Sequence, residues 1–127
     1  MGIDQNIKKE NKDIVKKNIN ENIIIGIIKI MKNNYKQRII NSYENVKREN
    51  PKNHWLWDKN PTKNEKEIKK CEIFINEERI KFNYYYNFPK EGNYIIKYVF
   101  KRFMTSTNFM FFGCDSLISL DLSNFNT

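Results

Sequence analysis

Between Cys71 and Phe100 the apolar residues recur at every second position. Cys71, Ile73 and Ile75 share one side, and Asn76, Glu77 and Glu78 make a turn. Ile80, Phe82, Tyr84, Tyr86 and Phe88 then alternate with Lys81, Asn83 and Asn87. After the turn signal PKEGN, Tyr94, Ile96, Tyr98 and Phe100 line one face of a returning strand. A period of two places successive side chains on opposite faces, so this stretch must form β-strands with a buried face. Ile95 and Val99 on the second face predict that the returning strand is central, with both of its sides covered.

The upstream half supplies further elements. IIIGIIKI (residues 23–30) is rich in β-branched residues and reads as a buried strand. KNNYK offers turn residues, and Gln37–Tyr43 reads as a second strand closing a hairpin with the first. Asn41 and Glu44 have the spacing of a capping box, which predicts a short helix through ENVKRE ending before Pro51. Thr62 and Glu65 repeat that spacing and predict a second helix through KNEKEIKK. The fold class predicted is α+β, mainly β: a small antiparallel domain with one or two short helices.

Composition excludes more than it identifies. Asn, Ile and Lys account for 58 of the 127 residues and Ala is absent. Such a skew weakens any argument from the number of Lys or Asn residues. The net charge of +8 is dispersed without a run of five like charges, so there is no basic arm. Cys71 and Cys114 make no disulfide framework. The N-terminus lacks the apolar stretch of a secretory signal, and IIIGIIKIM is far shorter than a bilayer span. His54 is the only histidine, no GxSxG-type turn is present and the four glycines are isolated. These patterns predict a protein that is not an enzyme, with no cofactor and no metal.

The last 25 residues differ from the rest: they carry no Lys or Arg. They hold Leu117-x-x-Leu120-x-Leu122, the leucine-rich repeat core. The generic pattern continues with Asn or Cys three residues on, where this chain has Phe125. MFFGCDSLISLDLSNFNT resembles instead the BspA-like leucine-rich repeat surface proteins, whose repeat reads roughly M-F-x-x-C-x-x-L-x-x-L-D-L-S-x-F-x-T. Ten positions match in order: Met110, Phe111, Cys114, Leu117, Leu120, Asp121, Leu122, Ser123, Phe125 and Thr127. CEIFINEERIKFNYYYNFPKEGNYIIKYVFK in turn resembles the β-rich leader found before such repeats.

The resemblance implies recognition of a protein partner, with adhesion at a cell surface as the family's setting; with no signal segment seen, a cytoplasmic place is the default. It divides the chain into a polar tail or short helix (1–20), a β-rich N-terminal cap (21–102) and the start of a leucine-rich repeat (103–127). Met110, Phe111, Cys114, Leu117, Leu120, Leu122 and Phe125 would form the repeat core. One coil cannot bury its own apolar edge, so either further repeats follow and the chain reads as a fragment, or this half-coil docks on the β domain or on another chain.

Two other stretches invite function. HWLWD, with His54, Trp55 and Trp57, either pins a loop onto the core or presents a contact for a partner. Tyr84, Tyr85 and Tyr86 beside Lys81 and Lys97 could stack nucleic-acid bases, which makes a basic nucleic-acid-binding module the alternative function. Only Tyr85 falls off the apolar stripe and is free for such contact.

Overall fold

The computed structural model describes residues 21–52 and 62–126. The order is β1 (Asn22–Ile30), β2 (Lys36–Arg38), α1 (Tyr43–Glu49), α2 (Glu65–Ile68), β3 (Glu72–Ile75), β4 (Glu78–Ile80), β5 (Tyr85–Asn87), β6 (Gly92–Phe100) and β7 (Leu117–Asp121). Five strands form one antiparallel sheet in the order β4-β3-β6-β1-β7, and β2 pairs with β5 in a second, two-stranded sheet. The fold is α+β and mainly β, as the alternating pattern and the two capping signals predict.

β1 and β6 pair over their full length, from Asn22 opposite Phe100 to Ile30 opposite Gly92. Ile24, Ile28 and Ile30 from β1 and Tyr94, Ile96, Tyr98 and Phe100 from β6 form one buried face. Ile73 and Ile75 extend it from β3, while Ile39, Ile40, Ile68 and Phe88 close over it from the rest of the chain. The Tyr98 hydroxyl, inside this core, donates to the Ile39 carbonyl. β6 is central, between β1 and β3. Its second face is covered only in part: Val99 is buried, but Ile95 is 57% exposed.

Three local expectations are corrected. The hairpin between residues 23–30 and 37–43 does not form. Both edges of β1 are taken, by β6 and β7, so the second segment has no free edge there and pairs with β5 instead. The alternating run Ile80–Phe88 is not one strand. Its burial does alternate throughout, yet β4 bonds to β3 in the large sheet and β5 to β2 in the small one. Finally, the helix caps are Ser42 and Asn64, one and two residues beyond the Asn41 and Thr62 that the spacing suggests. The Ser42 hydroxyl accepts from the Asn45 amide at 3.1 Å, and Glu44 is used elsewhere.

Gly26 marks a close approach. A Cβ built there would lie 2.9 Å from Leu117 Cδ1 and 3.1 Å from the Ser119 carbonyl oxygen. Only glycine lets β7 lie against β1 with the Leu117 side chain folded over the strand.

Candidate functional site: the C-terminal turn and its asparagine clasp

After β6 the chain runs through tight turns before becoming β7. Amides donate three residues back at Met110 to Thr107, Phe112 to Phe109, Cys114 to Phe111 and Leu117 to Cys114, each at 3.1 Å. Phe109 and Gly113 adopt positive φ angles of 59° and 76° in this series. β7 then pairs with β1, Gly26 opposite Leu120 and Ile28 opposite Leu117, with a bulge between. Two further bonds extend the attachment at both ends: Lys29 amide to Ser116 carbonyl (2.9 Å) and Ile23 amide to Asn124 carbonyl (3.0 Å).

Three asparagines, each 1% exposed, hold this segment. Asn64 Nδ2 donates to the carbonyls of Ser106 (3.2 Å) and Asn108 (2.8 Å). Asn41 receives the chain next: its amide donates to the Met110 carbonyl at 2.6 Å and its Nδ2 to that of Phe112 at 2.9 Å. Asn22 closes the far end, with Oδ1 accepting from the Asn126 amide at 2.7 Å and Nδ2 donating to the Asn126 carbonyl. A buried amide side chain satisfies an irregular backbone as a strand neighbour would, which lets a turn-rich segment sit against a core. The sequence carries no local sign of this, because Asn is the most frequent residue in the chain.

The seven residues expected to form a repeat core take different positions. Met110 and Cys114 are buried. Phe111 stacks edge-on against Tyr98, ring centroids 5.3 Å apart, and Phe125 against Phe100 at 5.6 Å. Leu117 packs on the core cluster. Leu120 lies opposite Gly26, which puts it on the same face of the sheet, but it is 37% exposed. Leu122, just past the strand, is 51% exposed. The apolar edge is therefore closed on the side of β1 and open on the far side.

Burial pushes the Cys114 thiol up to about 12, although the Arg38 charge works in the opposite direction. Cys71 is likewise pushed up to about 12 by burial. Neither is poised as a nucleophile or ligand. Cys71 borders a cavity of about 510 Å³ lined also by Glu67, Lys70, Phe103 and Thr105. Among the described residues no three His, Cys, Asp or Glu side chains stand close enough to hold a metal ion. No described helix is long and apolar enough to cross a membrane.

Tyr85 projects from β5 and is 37% exposed. Its ring is flanked by the Arg38 guanidinium at 4.4 Å and the Lys36 ammonium at 5.4 Å. Arg38 also donates to its hydroxyl and is ion-paired with Glu49 at 2.6 Å. His54, Trp55 and Trp57 lie outside the described residues, as does the expected polar tail or short helix at 1–20. No protein-family model matches the chain, and neither a curated protein nor a solved structure does.

Proposed function

We propose that this chain is a non-enzymatic protein-recognition module of leucine-rich-repeat type. Residues 21–102 act as the β-rich cap and residues 103–127 as the first coil of a BspA-like solenoid, whose further coils present the surface a protein partner binds. One observation carries the reading. Leu117 and Leu120 project from the core face of an edge strand whose outer side is unpaired among the described residues, with Leu122 exposed beyond them. A coil of the same kind stacked there would bury both exposed leucines and pair the free edge of β7.

The test is to append two further copies of residues 104–127 to the full chain. Stacking predicts a higher melting temperature, added β-type circular dichroism and weaker binding of a hydrophobic dye. Appended copies that stay unfolded and leave the melting temperature unchanged overturn the reading. The nucleic-acid alternative draws less support, because the Tyr85 ring that would stack a base already has Arg38 against it.

A further inference from the structure

The side of the large sheet turned away from the core carries an apolar strip set among charged residues, Glu72, Arg79, Lys97 and Asp121. Ile23, Ile25 and Ile27 of β1 alternate with the buried positions, and Ile27 stands opposite Ile95 of β6. Phe74 of β3 lies on the same side, opposite Lys97, whose ammonium rests 4.8 Å from the Phe74 ring. The registers place Asp121, Ile25, Lys97, Phe74 and Arg79 in a single row across all five strands. An acid stands at one edge of that row and at the other a base, Arg79, which also pairs with Glu72 at 3.2 Å; β6 runs down its centre.

We propose that this face binds a second copy of the same chain, sheet against sheet, about a two-fold axis parallel to β6. Rotation about that axis reverses the row upon itself. Asp121 then faces the partner's Arg79, Ile25 faces the partner's Phe74, and Ile95 meets its own copy at the axis. Such self-complementarity is what a closed dimer requires. Facing sheets pack in this aligned manner at about 10 Å separation. Rotation about the perpendicular in-plane axis would instead set Asp121 against Asp121, so the charges select the first arrangement.

The size fits a weak, reversible dimer. The strands contribute 30 residues, half of which point outward. That is below the roughly 20–30 residues a side of a standard stable interface. Lys97 meets its own copy near the axis and opposes association, its ammonium drawn aside over Phe74. The open end of the C-terminal turn takes no part, so this dimer is independent of any stacking on Leu120 and Leu122.

Sedimentation velocity on the full chain from micromolar to millimolar concentration tests the proposal. The wild type should pass from 15.4 kDa to twice that mass as concentration rises. Ile95→Lys should weaken the dimer about tenfold or more. Lys97→Met should tighten it. Asp121→Arg should weaken it, and Asp121→Arg with Arg79→Asp should restore it. A dimer indifferent to Ile95→Lys but lost in Leu122→Asp moves the interface to the open turn and overturns the proposal. A wild type that stays monomeric also overturns it; a shift of the Ile95 methyl resonance in Ile14→Asp would then identify residues 1–20 as the cover of this face.

Discussion

Glu44 and Asn64 cap each other's helix. The Asn64 Oδ1 accepts from the Tyr43 amide at the start of α1, at 2.9 Å. The Glu44 carboxylate accepts from the Asn64 and Glu65 amides at the start of α2, at 2.9 and 3.1 Å. Each helix is too short to persist alone. Together they supply the oxygens that the other's first-turn amides need, and Asn64 also holds the C-terminal segment.

Replacing Asn64 should therefore damage three places at once. Asn64→Ala removes the acceptor it offers the Tyr43 amide and the donor it offers the Ser106 and Asn108 carbonyls, and should cost about 2–4 kcal/mol in urea unfolding. Asn64→Asp keeps the acceptor for Tyr43 but turns an oxygen toward the two carbonyls. Its amide exchange should speed up around residues 106–108 while the start of α1 stays protected.

Gly26→Ala should cost about 1–3 kcal/mol by overpacking against Leu117 and the Ser119 carbonyl. The strand that yields is β7, which lies at the edge of the sheet. Hydrogen exchange should show lost protection at 117–121 with β6 unchanged. Adding Leu117→Ala removes the nearest clash, so the double variant should be less destabilised than the sum of the two single changes.

Acid should act through Glu65. The Arg48 guanidinium bonded to it, helped by the Tyr84 hydroxyl, lowers its carboxyl from 4.5 to about 2 against the cost of partial burial. An unfolded chain restores the ordinary value. The stabilisation is thus fully present above about pH 4.5 and is lost as pH falls through about 2. The urea midpoint of the wild type should drop across that window. Glu65→Gln, weaker at neutral pH, should show a smaller drop there.

Thiol chemistry should report opening of the fold. With Cys71 and Cys114 both pushed up to about 12 by burial, a disulfide reagent at mildly alkaline pH should react only as fast as the chain opens. In Gly26→Ala, Cys114 should become reactive well before Cys71, because it lies in the segment leading into β7. Equal rates for the two would show that the sheet and the C-terminal turn open as one unit.

β1 and β6 are legible in the sequence because each is nine residues long and one face is apolar along most of its length. The small sheet is not. Alternation reports which side of a segment is buried; it does not report which neighbour its backbone bonds to. Ile80–Phe88 keeps its alternation while crossing from one sheet to the other. The capping signals place the helix starts to within one or two residues but are wrong about the donor and acceptor, since Glu44 serves a helix about 20 residues away. The leucine pattern at 117–122 overlaps the edge strand β7, but Leu122 falls just past it and is 51% exposed. Asn22, Asn41 and Asn64 could not be singled out among 20 asparagines. Their role depends on burial and on backbone that reaches them from far along the chain.

The clasp between Asn22 and Asn126 joins partners 104 positions apart. Among the described strands β1 comes first, and β7, which completes its outer edge, comes last. Until β7 is made, the isoleucine-rich β1 has an unfilled edge. Contacts of such long sequence separation also slow folding. A nascent chain is therefore most vulnerable to mispairing before β7 has been released.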